Sequence, residues 1–227
     1  MVTLTQKKPE INVDIRPRLV QSGVVYAPFD IAKETLEENG YRIISLEENA
    51  EQRIIQGKDS YISNNGNRVS EGVIYIPKKG NFLVRRSPIL SRPKEVTDCH
   101  RNNKEFYPSK EEIEQSLNDS VDFPISYTEI STKKFNKEAL TIWAFGNGDN
   151  RKAQKYGDFL LNAGIKSMPV YPVEKNYADN QNSPFARQLW FGGLGGRSVL
   201  DGGRGLDDAS GLRGVLYLDA EGVAPKN

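Results

Sequence analysis

The chain has 227 residues, of which 37% are hydrophobic and 27% are charged, and its formal net charge is +1. This composition is typical of a globular protein with an ordinary core, and the near-zero charge argues against a nucleic-acid-binding surface. No uninterrupted apolar stretch is long enough for a membrane span and no secretory signal is recognised, so we expect a cytoplasmic, virion-associated or non-classically exported protein.

The first elements are predicted after a polar N-terminus. Residues 1–22 contain two prolines and few apolar residues, so we expect an arm with little structure of its own. The apolar run at 24–27 then predicts a short buried strand. Pro28 can begin a helix without losing a hydrogen bond, and Gly40 is a typical residue for ending it.

A second strand and helix are predicted directly afterwards. Residues 41–45 (YRIIS) form a strand candidate. Ser45 and Glu48 have the spacing of a capping box, in which each residue bonds to the backbone of the other. This spacing predicts a helix that continues to Gln56 and ends at Gly57.

Short β-branched runs separated by turn residues follow between residues 60 and 90. The turn residues include Asn65-Gly66 and Gly80-Asn81. Asn and Gly tolerate the positive φ angles of tight hairpin turns. The pattern therefore predicts two adjoining hairpins.

Residues 91–137 have the least regular pattern in the chain. They are polar with scattered prolines, and Ser109 and Glu112 repeat the capping-box spacing at the start of a short amphipathic helix. We expect a polar surface insertion here.

The next predicted elements are a strand, a helix and a final strand. Residues 139–145 (ALTIWAF) predict a buried strand, and Asp149 or Asn150 can cap the following helix, which ends at Gly164. Its apolar face consists of Ala153, Tyr156, Leu160 and Ala163. The apolar run at 215–218 predicts a last strand inside a sheet.

The most distinctive part of the sequence is residues 189–214 (LWFGGLGGRSVLDGGRGLDDASGLRG), which we call the Gly-rich segment. Leucines recur in it every six residues, and small or charged residues stand between them. A flexible linker would lack the leucines, because it has no core in which to bury them. We expect the apolar residues to anchor the segment, namely Leu189, Trp190, Phe191, Leu194, Leu200, Leu206 and Leu212.

Several site chemistries are disfavoured by the residues. The turn at 146–148 precedes a helix but lacks the remaining residues of a phosphate-binding loop. Cys99 is the single cysteine, which excludes an internal disulfide and a thiolate metal cluster within one chain. His100 is the single histidine, and no third group is evident that would orient it for catalysis with Cys99.

Carboxylates are present in the Gly-rich segment at Asp201, Asp207 and Asp208, but they do not have the spacing of an EF-hand loop. Arginines in the same segment balance their charge, so a solvated mixed-charge surface is favoured over a calcium site. A hexapeptide β-helix would have only four turns, with open ends. No cofactor or metal is predicted.

At residues 189–215 the chain resembles the variable region of the target proteins of diversity-generating retroelements, and it is most similar to the archaeal variable proteins. The resemblance implies an α+β chain with a C-type lectin fold of the formylglycine-generating-enzyme type. It implies mixed short strands with two to four helices and a last strand that pairs near the first. The loop and strand motifs of calcium-dependent sugar binding and the cysteine pair of the formylglycine-generating enzymes are missing here.

The resemblance also implies how the sequence arose. In that family a reverse transcriptase miscopies template adenines, so AAC and AAT codons never become codons for Lys, Glu, Gln, Met or Trp. None of these five residues occurs from Phe191 to Gly214, although Lys and Glu are frequent upstream. The implied ligand-binding face consists of Gly192, Gly193, Gly195, Gly196, Arg197, Asp201, Gly203, Arg204, Asp207, Asp208, Ala209, Ser210 and Gly211.

The sequence therefore predicts a non-enzymatic, hypervariable ligand-binding protein, with one domain over residues 23–227 and a variable region at about 190–214. The expected partner is an unidentified protein or cell-surface ligand, without nucleic acid or a membrane span. An enzyme that uses the Gly-rich segment as an active-site lid remains the alternative.

Overall fold

A mixed β-sheet organises the protein. The computed structural model describes residues 12–14, 20–203, 206 and 211–217. The strands in this part of the chain are β1 (Asn12–Asp14), β2 (Val20–Val25), β3 (Arg42–Ile43), β4 (Asn67–Ile76), β5 (Gly80–Val84), β6 (Ser120–Phe123), β7 (Thr128–Ser131), β8 (Ser167–Tyr171), β9 (Phe185–Phe191), β10 (Leu200–Asp201) and β11 (Leu212–Tyr217).

Helices cover much of the sheet, and the described residues contain more of them than the two to four expected. They are α1 (Phe29–Glu38), α2 (Leu46–Gln56), α3 (Tyr61–Asn64), α4 (Pro93–Arg101), α5 (Lys110–Leu117), α6 (Ala139–Gly146), α7 (Asn150–Asn162) and α8 (Lys175–Asp179). No helix among them is long and apolar enough to cross a membrane.

The two ends of the described chain meet in the sheet. The main strand order is β1-β2-β11-β4-β9-β10-β8-β7, with β3 also on β11, β5 on β4 and β6 on β5. Strand β11 is antiparallel to β2, with Gly214 opposite Gly23. The last strand therefore returns to the N-terminal strand, and β9, β10 and β11 carry the Gly-rich segment through the sheet.

Two described stretches of the predicted N-terminal arm lie in strands. Strand β1 and the first three residues of β2 fall within residues 1–22, and β1 pairs with β2 at Ser22, Gly23 and Val24. Strand β2 also pairs with β11 along its whole length. The polar composition of this region gave no sign of β2, because its partner strand β11 is supplied by a distant part of the chain.

Buried apolar side chains form two cores on opposite faces of the sheet. Val73 and Tyr75 belong to the first core, which also contains Leu200. Ile74, between them in β4, belongs to the second core with Leu212. Since successive residues of a strand point to opposite faces, the sheet separates the two cores. The Gly-rich segment therefore contributes a leucine to each.

The helices predicted from capping signals are confirmed. Ser45 Oγ accepts a bond from Glu48 N at 3.2 Å, and Glu48 Oε2 accepts one from Ser45 N at 3.0 Å, at the start of α2. Ser109 makes the same exchange with Glu112 at the start of α5. Asp149 caps α7 by accepting from Arg151 N at 2.8 Å. These bonds join residues at most three apart.

The predicted strand at 139–145 is wrong, because this run forms helix α6. Leu140, Ala144 and Phe145 are buried in the first core, and Asn147, directly after the helix, adopts the left-handed conformation. A short, continuous apolar run fits a buried helix as well as a buried strand. In this protein the run packs against both α2 and α7, and this packing favours the helix.

The first of the two predicted hairpins is also wrong. Residues 61–64 form helix α3, whose N-terminus is capped by Ser60. The second hairpin is confirmed as β4 and β5, with Lys78 at φ 61° and Gly80 at φ 145° in the turn. Ser60 can cap the N-terminus of a helix, which favours α3. The prediction gave more weight to the Asn-Gly pair, which favours a hairpin turn.

Residues 91–137 are more than a surface insertion. Strands β6 and β7 join the sheet through β5 and β8. Helix α4 packs on α1, where Thr97 Oγ1 accepts a bond from Asp30 N at 3.2 Å. Val96 and Phe106 are buried in the second core. Their apolar positions are too far apart in sequence to have produced a periodic pattern.

Candidate ligand-binding surface

The Gly-rich segment leaves β9, forms one 3-10 turn at Leu194–Gly196 and re-enters the sheet as β10. Strand β10 lies between β9 and β8, with Leu200 opposite Phe191 and Val170. The first half of the segment is therefore held by strands on both sides. Five of the predicted ligand-binding residues lie outside the described residues, namely Arg204, Asp207, Asp208, Ala209 and Ser210.

The four periodic leucines all contact the cores. Leu200 and Leu212 are buried. Leu194 is half-buried against the first core and Leu206 against the second. Trp190 is also half-buried, and its ring lies 5.6 Å from the Arg68 guanidinium. This placement is the one that an anchoring role requires.

The glycines of the segment differ sharply in their surroundings. Gly192 and Gly193 were expected on an exposed face, but both are buried. A Cβ on Gly192 would stand 2.5 Å from Val199 Cγ1, and one on Gly193 would stand 2.6 Å from the backbone carbon of Asn64. These two positions face the protein, because the chain backbone passes close to its neighbours there.

Gly211 is also buried rather than exposed. A Cβ there would approach Val24 Cγ2 to 2.5 Å and Tyr26 Cε1 to 2.9 Å. Gly195 and Gly196 have the opposite environment. Both are exposed, and a Cβ on Gly195 would meet nothing within 4 Å. Side chains of any size can project from these two positions into solvent.

Arg197 and Asp201 are the charged side chains of the segment among its described residues that reach the outer surface. Arg197 adopts the left-handed conformation (φ 55°), and its Nη1 donates to Glu129 Oε1 at 2.9 Å. Asp201 Oδ1 accepts a bond from Gly203 N at 2.9 Å. Glu129 belongs to β7, so the sheet brings the predicted residue Arg197 to a carboxylate 68 positions away.

Glu129 is held in its charged form. Ser167 and Tyr127 both donate hydrogen bonds to its carboxylate, in addition to Arg197. These bonds lower the pKa of Glu129 to about 2, with the Ser167 bond as the largest cause. The pKa of the Arg197 guanidinium is raised by the same contact with Glu129. The pair is therefore ionised at neutral pH.

A buried arginine that the sequence did not single out holds the base of the segment. Arg53 on α2 is fully buried, and its Nη1 donates to Tyr156 Oη (3.1 Å), Gly192 O (2.9 Å) and Ser198 Oγ (3.0 Å). Its guanidinium carbon lies 3.9 Å from the centre of the Phe191 ring. An arginine inside a charged amphipathic helix gives no sequence signal of this role.

Exposed aromatic residues adjoin the same surface and were also missed. The rings of Tyr127 and Tyr171 lie with their centres 4.8 Å apart, and 49% and 43% of these residues are exposed. Tyr171 is the register partner of Asp201 in the parallel pair of β8 and β10. Both tyrosines precede or end short strands, so sequence alone did not relate them to the Gly-rich segment.

The side chains described in the structure do not group into a metal site. Among them, no three His, Cys, Asp or Glu residues are close enough to hold an ion. Cys99 and His100 line one cleft of about 250 Å³ together with Leu206. Burial raises the pKa of the Cys99 thiol, and nearby Glu95 raises it further, so the protonated thiol predominates at neutral pH.

Comparison with known proteins identifies the fold. No protein-family model matches the sequence, and no curated protein matches it. The structure is similar to a solved chain described by the phrase "Accommodation of massive sequence variation in Nanoarchaeota by the C-type lectin fold". The two share 17% sequence identity with a TM-score of 0.66, over 89% of this chain and 99% of the other.

The chain has a C-type lectin fold. The α+β class and the fold predicted from the Gly-rich segment are thereby confirmed. In this C-type lectin fold the segment occupies β9, β10, β11 and the connections between them. At 17% identity the similarity establishes the fold and leaves the ligand to be argued from the surface itself.

Proposed function

We propose that the protein is a hypervariable, non-enzymatic ligand-binding protein whose Gly-rich segment is diversified by a retroelement. One observation carries this proposal: within a single short segment, Leu200 is fully buried while Gly195, Gly196 and Arg197 project into solvent. Changes at the exposed positions therefore have little effect on the core, whereas the buried leucine keeps the backbone in place.

Two further observations support diversification. The absence of Lys, Glu, Gln, Met and Trp between Phe191 and Gly214 is the restriction that adenine miscopying of AAC and AAT codons imposes. The similar solved chain is described in terms of massive sequence variation on the same fold. The described face consists of Gly195, Gly196, Arg197, Asp201 and Gly203, and we propose a macromolecular partner for it.

The genomic locus tests this function. We expect a template repeat near the gene that matches the codons for residues 190–214 except at adenines, next to a gene for a reverse transcriptase. A locus with neither feature would refute diversification by a retroelement. A repeat whose differences fell on the codons of Leu200 and Leu212 would refute the assignment of exposed and buried positions.

The lid alternative is not favoured by the first half of the segment. Strand β10 is paired on both sides, and Arg53 donates to Gly192 O and Ser198 Oγ at either end of the 3-10 turn. A lid must open by breaking contacts of this kind for each substrate. We therefore propose a rigid display surface for this part of the segment.

A further inference from the structure

Six tyrosines are exposed among the residues whose side chains the structure describes, and they form three pairs. Tyr26 Oη and Tyr61 Oη are 2.7 Å apart. The second pair is Tyr127 and Tyr171, with ring centres 4.8 Å apart. The third pair, Tyr107 and Tyr177, is linked only indirectly: Gln181 accepts a bond from Tyr107 Oη at 2.9 Å and donates to the main-chain carbonyl of Tyr177 at 3.3 Å.

Each pair lies beside a different part of the Gly-rich segment. The Tyr127 pair adjoins its first half, because Tyr127 and Arg197 share the carboxylate of Glu129. The Tyr177 pair adjoins its middle, where Arg187 lies 5.7 Å from the Tyr177 ring and donates to Gly203 O.

The pair of Tyr26 and Tyr61 adjoins the end of the Gly-rich segment. Here Tyr26 lies so close to Gly211 that a Cβ would meet its ring at 2.9 Å. Tyr61, its partner, lies with its ring 5.5 Å from the guanidinium of Arg213. All three pairs therefore border the segment, although none of the six tyrosines belongs to it.

Exposed tyrosines in this arrangement differ from the single apolar residues found on any protein surface. Between 41% and 49% of each residue is exposed, so each ring keeps contact area available for a partner. Tyrosine loses little conformational entropy on binding and is enriched among the residues that dominate protein interfaces. The glycines at 195 and 196 supply no such contact area themselves.

The charges around the tyrosines indicate the chemistry of the partner. Arg197 is paired with Glu129 at 2.9 Å, and the Nε of Arg187 is paired with Glu105 at 3.1 Å. Both of these cations are therefore neutralised by a carboxylate of the protein itself. A surface of rings and internally paired charges suits the mixed polar and apolar surface of a folded protein better than a polyanion.

We propose that these six tyrosines, Tyr26, Tyr61, Tyr107, Tyr127, Tyr171 and Tyr177, form a fixed contact set with which every variant of the Gly-rich segment binds a folded protein. The exposed positions of the segment then select the partner, and the tyrosines provide contact area that does not vary. This inference rests on the proposed function, because it names the residues of the same ligand-binding surface that do not vary.

A library randomised at Gly195, Gly196 and Arg197 tests the inference. The library is displayed and selected for binding to lysozyme, a folded protein of known structure, and three unrelated binders are purified. In each binder Tyr127→Ala and Tyr171→Ala are made separately. We expect at least one of the two to weaken lysozyme binding about tenfold or more in every binder, as is typical of dominant interface residues.

The matched control is Ile55→Ala, which removes an exposed apolar side chain of α2 outside the three pairs. It is expected to change affinity less than twofold, and thermal unfolding checks that all variants remain folded. Binders whose affinity is unchanged by both tyrosine substitutions would overturn the fixed contact set and leave the proposed function intact. A folded library without any binder would overturn the proposed function, and the inference with it.

A carbohydrate partner is distinguished by the unselected protein. Its binding to maltotetraose, a neutral oligosaccharide, is measured by calorimetry with and without Tyr171→Ala. We expect no binding. Saturable binding that the substitution abolishes would overturn the assignment to a protein partner.

Discussion

Gly193 and Gly195 lie two residues apart in the same turn, and we predict opposite responses to the same substitution. A Cβ on Gly193 would stand 2.6 Å from the carbonyl carbon of Asn64 and closer still to its oxygen, whereas a Cβ on Gly195 would meet nothing within 4 Å. Neither glycine has a positive φ angle. The two variants Gly193→Ala and Gly195→Ala therefore differ in steric contact alone.

The distances set the expected magnitude. An ordinary carbon-to-oxygen contact is roughly 3.3 Å or longer, so α3 and the turn would have to separate by most of an ångström. The obstacle is backbone at Asn64, which cannot rotate away as a side chain can. Overpacking of this kind costs about 1–3 kcal/mol. Gly195→Ala is expected to be neutral or to stabilise by up to about 1 kcal/mol, because it restricts the unfolded chain.

Urea unfolding measures both variants, with the fluorescence of the two tryptophans as the signal. We expect Gly193→Ala to lower the free energy of unfolding by about 2 kcal/mol relative to Gly195→Ala, with equal m-values. Equal stabilities of the two variants would refute the assignment of Gly193 as a buried position and Gly195 as an exposed one.

Two other predictions concern buried charged groups. Arg53→Met leaves Gly192 O without its donor, so we expect the free energy of unfolding in urea to fall by about 2–4 kcal/mol. Amide exchange should also become faster from Gly192 to Ser198. Unchanged exchange there would contradict the role of Arg53. Burial raises the pKa of Glu71 to about 7, despite bonds from Leu46 N and the nearby Arg85. Because the folded state keeps the proton more tightly, stability should fall by about 3 kcal/mol as the pH rises from about 4.5 to 7. Glu71→Gln should flatten this dependence of stability on pH, measured by urea unfolding at several pH values. An unaltered dependence would contradict the assignment of the effect to Glu71.

Signals between near neighbours in sequence were predicted correctly. The capping boxes of Ser45 with Glu48 and of Ser109 with Glu112 begin α2 and α5, because both partners of each bond are three residues apart. The resemblance of the Gly-rich segment to the variable regions of retroelement target proteins also implied the C-type lectin fold, which the similarity to a solved chain confirms. These features need no information about the remainder of the chain.

Long-range packing decided what the sequence left open. The apolar run at 139–145 became a helix because α2 and α7 surround it, and helix α3 replaced a predicted strand. Gly193 and Gly195 are the same residue in a similar sequence context. The backbone of Asn64, 129 positions before Gly193, packs against Gly193, whereas Gly195 has no neighbour within 4 Å of a Cβ. Arg53 and the paired tyrosines likewise reach the segment only across the folded sheet. The sequence by itself therefore implied the fold and singled out the Gly-rich segment, and the tertiary structure decided which residues of that segment are exposed, because exposure depends on neighbours that are distant in the chain.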